Sequence, residues 1–129
     1  MTDEIHVNGS CHCGKIEIKA KVKLSEVRAC HFTDCQKTSG APIRAIAMAP
    51  SNKIEITGRP KEYIKIGDNG NKHIQAFCPN CGTQLFATDI KKSSFNLRTG
   101  FLEQRNELEP KTHVFTQSSM GWTTKLQKI

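Results

Sequence analysis

The sequence has no hydrophobic run long enough to cross a membrane. Of its 129 residues, 36% are hydrophobic, and the mean hydropathy is -0.49. A membrane-spanning helix needs about 20 consecutive apolar residues. The opening segment from Met1 to His6 is acidic and polar, so we expect no secretory signal peptide. We therefore predict a protein that is neither membrane-embedded nor secreted.

Aromatic residues are also scarce, at 6% of the chain with a single tryptophan and a single tyrosine. Proteins that bind single-stranded nucleic acid stack bases on such side chains, so we do not expect a nucleic-acid partner despite the net charge of +7. The charge is equally compatible with an anionic small substrate or with an ordinary basic surface. Lys19, Lys21 and Lys23 alternate with apolar residues, which predicts the solvent face of a β-strand.

Long apolar stripes at helical spacing are absent from the sequence. Short apolar runs between turn residues instead predict strands, at Lys15–Leu24, Ala45–Ala49, Ile54–Thr57, Tyr63–Ile66, Ile74–Phe77, Leu85–Ala87, Phe95–Leu97 and His113–Phe115. A helical turn is expected after Cys30, through Lys37, and another at Leu102–Arg105. The residues Asp68–Gly70 suit a tight hairpin. Without repeats or linkers, the pattern predicts one mainly β domain over residues 1–129.

Six cysteines are the most informative feature of the sequence. Without a signal peptide we expect a reducing, cytoplasmic setting, where closely spaced cysteines are more often metal ligands than disulfides. Cys11 and Cys13 would point to the same side of a strand, and Cys78 and Cys81 span a turn. A glycine follows each pair and lets the backbone bend around an ion. These four cysteines therefore predict one structural zinc per chain, because tetrahedral zinc needs sulfurs about 3.7 Å apart.

The remaining two cysteines, Cys30 and Cys35, do not make a zinc site by themselves. On a regular helix they would point about 140° apart, so we expect them to converge only in an irregular loop. An open catalytic zinc site normally uses three protein ligands. His31 and His12 are the candidates for a third, and each suits an ordinary surface or core position equally well.

Three motifs in this order and spacing resemble the glutathione-dependent formaldehyde-activating enzyme family, which includes relatives of centromere protein V. They are the segments Gly9–Gly14, Cys30–Gly40 and Phe77–Thr83. Weaker matches continue through Leu97–Glu103 and His113–Trp122, so the resemblance covers nearly the whole chain.

The resemblance implies a zinc-stapled fold of several coiled antiparallel sheets, similar to methionine sulfoxide reductase B and to a zinc-binding chaperone of Rab GTPases. It implies a structural zinc on Cys11, Cys13, Cys78 and Cys81, in agreement with the spacing. It also implies a second, catalytic zinc near bound glutathione, in a Cys-x-Cys-x-x-Cys cluster. The first and last of its ligands correspond to Cys30 and Cys35, but Phe32 occupies the middle position.

Phenylalanine cannot bind a metal, so the second site is expected to depart from the family. It is empty, or it recruits His31 or a bound thiol as a substitute ligand, or Cys30 and Cys35 act as a redox pair. We favour a weak or empty second site. The purified protein is then expected to hold one tightly bound zinc per chain.

Two functions are compatible with these residues and with the resemblance. The first is a zinc-containing carbon–sulfur lyase that acts on a glutathione–aldehyde adduct of the S-hydroxymethylglutathione type, or on a related thiol. Cys30, Cys35 and the neighbouring His31 would be its catalytic residues, and Arg98 would pair with a substrate carboxylate or else lie at a solvated strand end. The alternative is a non-catalytic binding module that zinc stabilises.

Overall fold

The structure is a computed structural model that describes residues 3–123. Within these residues the chain forms ten strands and one α-helix, joined by loops and short 3-10 turns. The strands are β1 (Glu4–Ser10), β2 (Glu17–Lys23), β3 (Arg28–Cys30), β4 (Arg44–Pro50), β5 (Ile54–Thr57), β6 (Lys61–Ile66), β7 (Lys72–Phe77), β8 (Gln84–Asp89), β9 (Ser94–Arg98) and β10 (Thr112–Val114). The helix is α1 (Thr33–Ser39). The mainly β prediction is confirmed.

The strands form two sheets. A three-stranded antiparallel sheet has the order β1-β2-β5, and a seven-stranded sheet has the order β10-β3-β4-β9-β8-β7-β6. Every pair in the larger sheet is antiparallel except β10 with β3, which run parallel. The predicted antiparallel sheets are therefore confirmed, and the edge strand β10 adds one parallel pair.

The hydrophobic core takes side chains from both sheets. Strand β2 alternates strictly, with Ile18, Ala20 and Val22 buried and its lysines directed outward, as predicted. Ala47 and Ala49 of β4 are completely buried in the same cluster as these residues, and such small side chains allow close packing. A Cβ at Gly9 would come within 2.4 Å of the Phe101 carbonyl oxygen, so glycine is required where β1 approaches that loop.

Most predicted strands occur with slightly different ends, and Ile54–Thr57 has the predicted bounds. The hairpin at Asp68–Gly70 is also confirmed, because it connects β6 to β7 with Gly70 at a φ of 83°. Strands β1 and β3 were not predicted. The predicted helical turn at Leu102–Arg105 is a single hydrogen-bonded turn, in which the Arg105 N–H donates to the Leu102 carbonyl at 3.1 Å. It lies between the 3-10 turn Thr99–Phe101 and the 3-10 turn Arg105–Glu107.

The predicted helix after Cys30 begins three residues later than the cysteine itself. It starts at Thr33 and ends at Ser39, and the left-handed φ of 67° at the following Gly40 stops the helix. The Ser39 hydroxyl donates to the Cys35 carbonyl oxygen at 2.6 Å. No helix in residues 3–123 has the length and apolar character that a membrane span requires. The likeness to the reductase and the Rab chaperone, and the single-domain bounds 1–129, stay predictions.

Candidate metal centre and thiol pocket

Four cysteine sulfurs meet where turns from the two sheets approach each other. The ligand atoms of Cys11, Cys13, Cys78 and Cys81 all lie within 4.8 Å of one another. The Cys13 Sγ is 3.6 Å from the Cys11 Sγ and 3.7 Å from the Cys78 Sγ. These separations match the edge of a zinc–thiolate tetrahedron, about 3.7 Å. The four cysteines could therefore hold a metal ion.

The first pair of these cysteines lies in a turn, so its prediction as part of a strand is wrong. Cys11 and Cys13 occupy the connection between β1 and β2, where the Gly14 N–H donates to the Cys11 carbonyl at 3.0 Å. Gly14 has a φ of 81°, a conformation that breaks a strand. The two thiols therefore meet because the turn is tight, and not because they lie on the same side of a strand.

The second pair lies in a similar turn between β7 and β8. The Gly82 N–H donates to the Cys78 carbonyl at 2.9 Å, and Gly82 has a φ of 80°. The N–H groups of Asn80 and Cys81 approach the Cys78 Sγ at 3.4 and 3.5 Å. These backbone N–H groups favour the Cys78 thiolate, but burial and the contacts with the Cys81 and Cys11 thiols raise the pKa of Cys78 overall. Both turns are thus built in the same way around a cysteine.

One hydroxyl joins the two turns. The Thr83 Oγ1 accepts a hydrogen bond from the His12 N–H at 3.0 Å and lies 3.2 Å from the Cys81 Sγ. Hydrogen bonds from Thr83 to this sulfur lower the pKa of Cys81 to about 5. A hydrogen bond from the Asn80 side chain lowers the pKa of Cys13 as well. Low thiol pKa values favour the thiolates that metal binding requires.

The other two cysteines meet at a strand-to-helix connection. Cys30 ends β3, Cys35 lies in α1, and their sulfurs are 3.1 Å apart. The expectation that an irregular loop was needed is wrong, because a regular strand and a regular helix, joined by residues 31–32, bring the two sulfurs together. Only Cys35 lies within the helix, so the angle between two positions on one helix does not apply to this pair.

The two sulfurs belong to the lining of a cavity of about 390 Å³. This volume lies within the range of small-molecule sites, roughly 300–1,000 Å³. Cys30 and Cys35 are only 5% and 6% exposed, so the cavity is their route to solvent. Basic side chains also line it: Arg28, Arg44, Lys65 and His73.

Buried arginines surround the thiol pair without carboxylate partners. Arg44 and Arg98 are 9% and 7% exposed, and neither forms an ion pair with any described residue. Both donate to the Gln75 Oε1, Arg98 at 2.6 Å and Arg44 at 3.4 Å, while each Nε has no partner among the described residues. Because a buried unpaired cation is costly, this arrangement favours an anion in the cavity.

The thiol pair shares a proton unequally. A hydrogen bond from Cys35 lowers the pKa of Cys30 to about 6, with help from the Phe32 N–H and the charges of Arg44 and Arg98. The same contact with Cys30, together with burial, raises the pKa of the Cys35 thiol. The arrangement can therefore hold one thiolate at neutral pH, and that form is the nucleophile.

The other predicted site residues lie outside this pocket. His31 is buried, but its Nε2 lies 2.9 Å from the His113 Nδ1 and it does not line the cavity. Burial and the neighbouring His113 lower the pKa of His31. Arg98 is buried and therefore not at a solvated strand end. It does not line the cavity itself, but it donates to Gln75 and to the Asn96 carbonyl, and both of these residues do.

Phe32 forms part of the cavity wall. Its ring packs on the ring of Phe115 with centroids 4.7 Å apart, and the Lys65 Nζ lies 4.8 Å from its centroid. Lys65 also pairs with Asp34. The residue between the two cysteines thus contributes an apolar, cation-contacting surface in place of a ligand.

Sequence reasoning missed Arg44 and Arg28. Arg44 shares the parity of Ile46 and Met48 along β4, opposite to the alanine positions of the core. The available signal was a charged residue at the start of a strand whose two faces are otherwise both apolar. Arg28 opens β3, the strand that was not predicted.

Comparison with known proteins agrees with this architecture. A crystal structure of a Rhodobacter sphaeroides protein, determined by a structural genomics programme, is 18% identical to this chain with a TM-score of 0.62. The match covers 83% of this chain and 99% of that one, and it shows a shared fold. The sequence profile described as glutathione-dependent formaldehyde-activating enzyme matches residues 6–118. The chain therefore belongs to the glutathione-dependent formaldehyde-activating enzyme family.

Proposed function

We propose that this chain binds a small anionic thiol of the glutathione type and acts on the carbon–sulfur bond of its adduct with an aldehyde, as a carbon–sulfur lyase. The observation that carries the proposal is the juxtaposition of the Cys30–Cys35 sulfur pair with Arg44, a buried arginine that has no carboxylate partner among the described residues. Such reduced thiol chemistry suits a cytoplasmic protein.

Zinc is the metal that we assign to Cys11, Cys13, Cys78 and Cys81. Four thiolates are the donor set of a closed structural zinc site, and the sulfur separations fit it. When bound, zinc would supply a cross-link between the β1–β2 and β7–β8 turns, and thereby between the two sheets. A closed site leaves no open position for a substrate, so this centre stabilises the fold and takes no part in the reaction.

The charges of the cavity fit an anionic ligand. Asp34 and Asp89 are the acidic side chains of its lining, and they are engaged with Lys65 and with Ser93. Arg28 and Arg44 form no ion pair among residues 3–123. They make long hydrogen bonds of 3.4–3.5 Å to neutral side chains, and the Arg44 Nε has no partner among these residues. Guanidinium groups bind carboxylates through paired N–H donors. A carboxylate-bearing thiol therefore satisfies donors that the protein itself leaves free.

The reaction that we propose needs no oxidant or reductant. The thiol sulfur forms a bond to the aldehyde carbon, the carbonyl π bond breaks, and the thiol proton ends on the oxygen to give a hydroxymethyl thioether. The reverse reaction cleaves the same carbon–sulfur bond. The arginines stabilise the thiolate nucleophile and the developing oxyanion, and Cys30 and Cys35 hold an exchangeable proton beside the cavity.

A second candidate is a binding module without catalysis. The observation in its favour is that Phe32 fills the position between the two cysteines with an aromatic ring packed on Phe115. The catalytic zinc expected from the family would have only two thiol ligands here. We propose that this second metal site is weak or empty, so that the proposed activity rests on the thiols and arginines.

Titration calorimetry with glutathione tests the proposed function. We expect binding at millimolar or lower concentration, and Arg44→Gln should weaken it about tenfold because a charge-assisted hydrogen bond is lost. Arg59→Gln is the matched control, since Arg59 is exposed and lies outside the cavity. Absence of binding at millimolar glutathione contradicts the proposal.

A kinetic measurement separates the two candidates. Exchange of formaldehyde with glutathione, followed by NMR, should be faster in the presence of the wild-type protein than with Cys30→Ser. If glutathione binds but the exchange rate stays at its uncatalysed value, the binding module is the correct interpretation.

A further inference from the structure

Cys30 and Cys35 are placed for a reaction with each other. Their sulfurs are 3.1 Å apart, and a disulfide bond is about 2.05 Å long. Closing the gap therefore requires a movement of about 1 Å, within the reach of small side-chain adjustments at a strand end and a short helix. The helix and the strand bring the two thiols together before any reaction takes place.

The pair has too few neighbouring metal ligands for a zinc site, which favours a free dithiol. Among residues 3–123 the only group of three or more ligand atoms from His, Cys, Asp or Glu is the separate quartet of Cys11, Cys13, Cys78 and Cys81. The segment between Cys30 and Cys35 presents Phe32, whose ring packs on Phe115. Two thiols without a third ligand form a poor zinc site but satisfy the whole requirement of a disulfide.

We propose that Cys30 and Cys35 form a redox-active dithiol that exchanges with small anionic disulfides. One cysteine thiolate attacks a disulfide RSSR, a mixed disulfide with the protein forms, and the first RS⁻ leaves. The second cysteine thiolate then attacks the mixed disulfide, Cys30–Cys35 closes, and the second RS⁻ leaves. The two thiols lose two electrons and two protons, and RSSR is reduced to two RSH.

The cavity supplies the access that this exchange requires. Both cysteines line it, and Arg28, Arg44 and Lys65 give its wall a positive character suited to a disulfide that carries carboxylates. The inference goes beyond the proposed lyase function and does not depend on it, because exchange needs only the two sulfurs and a path to them.

Mass spectrometry of the oxidised protein tests the proposal. The zinc-loaded full chain is incubated with glutathione disulfide, quenched with acid, alkylated and mapped by peptide analysis. We expect a Cys30–Cys35 disulfide in most molecules, with the quartet cysteines free of disulfides and the zinc retained. Hydroxyethyl disulfide, which is uncharged, should give the same product even if the cavity fails to bind glutathione.

Single variants identify the intermediate. Cys30→Ser and Cys35→Ser each remove one thiol of the pair. The variant that retains the attacking cysteine should accumulate a mixed disulfide, because the resolving thiol is absent. Its lifetime should be at least about tenfold longer than in the wild type. Retention of one zinc by the quartet shows that each variant is folded. The proposal is overturned if both disulfides leave Cys30 and Cys35 unmodified, or if the bond forms among quartet cysteines instead.

Phe32→Cys provides a gain-of-ligand control. A third thiol between Cys30 and Cys35 should raise the zinc content by one equivalent and slow disulfide formation at least about tenfold, since metal-bound thiolates are protected from exchange. If the wild-type pair already holds a stoichiometric metal ion and is protected in the same way, the dithiol assignment is wrong.

Discussion

The protein contains two thiol centres that differ in number, position and neighbours. The quartet of Cys11, Cys13, Cys78 and Cys81 lies in two hairpin turns of similar construction, with backbone N–H groups and Thr83 around the sulfurs. The pair of Cys30 and Cys35 lies at a strand-to-helix connection, with buried arginines nearby and a cavity alongside.

The contrast between the centres shows how the surroundings of a cysteine determine its chemistry. The quartet has enough thiols to close a tetrahedron, so its natural role is to hold the two sheets together. The pair has too few thiols for that, but it has an open path to small molecules and cations that stabilise a thiolate. Within one small protein, the first centre is suited to stability and the second to reactivity.

The largest expected difference between the two centres is in stability. Cys78→Ser should abolish zinc binding and leave the protein largely unfolded at 37 °C, because a structural zinc contributes on the order of 10 kcal/mol, comparable with the whole stability of a domain. Cys35→Ser should retain a cooperative thermal transition. Thermal melting followed by circular dichroism gives the stability of both variants. Equal melting temperatures would contradict the assignment of the stabilising role to the quartet alone.

A smaller effect is expected in the pH dependence of thiol alkylation. The pKa of Cys30 is lowered to about 6 by its contact with Cys35, so its thiolate is lost as the pH falls through that value. Alkylation of the zinc-loaded protein by iodoacetamide should therefore be about tenfold slower at pH 5 than at pH 7. Cys30→Ser should remove this fast phase. A midpoint near the ordinary cysteine pKa would contradict the assigned hydrogen bond.

The smallest expected effect concerns the turn that holds a quartet cysteine. Gly82→Ala should destabilise the protein by about 1–2 kcal/mol, because the φ of 80° is unfavourable for alanine. Gly100→Ala is the matched control, since Gly100 has no positive φ and an added Cβ meets nothing within 4 Å at either position. Denaturant unfolding at saturating zinc gives both values, and equal costs would mean that turn strain is not the reason for glycine there.

Much of the sheet structure could be predicted, because strands such as Glu17–Lys23 alternate strictly between buried and exposed residues. Strands β1 and β3 were missed. The first carries few apolar residues, and the second is only three residues long. Both owe their existence to pairing with β2 and β4, which is a tertiary effect. The parallel pairing of β10 with β3 also has no local signal.

The cysteines of the candidate site could be predicted from the sequence, but its arginines could not. Thiol spacing indicated the convergence of Cys78 and Cys81, although the reason given for Cys11 and Cys13 was wrong, since they meet in a turn. Arg44 was overlooked although its charge at the start of an apolar strand was a signal, because the cavity that this face of β4 lines forms only in the tertiary structure. The catalytic roles of Cys30, Cys35 and His31 stay predictions, and His31 packs against His113.

The central claim is that the quartet binds a structural metal ion and that the Cys30–Cys35 pair does not. It is tested most directly by comparing the zinc content of the wild-type protein with that of Cys78→Ser and Cys35→Ser. Elemental analysis should return one equivalent per chain for the wild type, none for Cys78→Ser and one for Cys35→Ser. Two equivalents in the wild type, with one of them lost in Cys35→Ser, would contradict the division between a structural metal centre and a metal-free thiol pair.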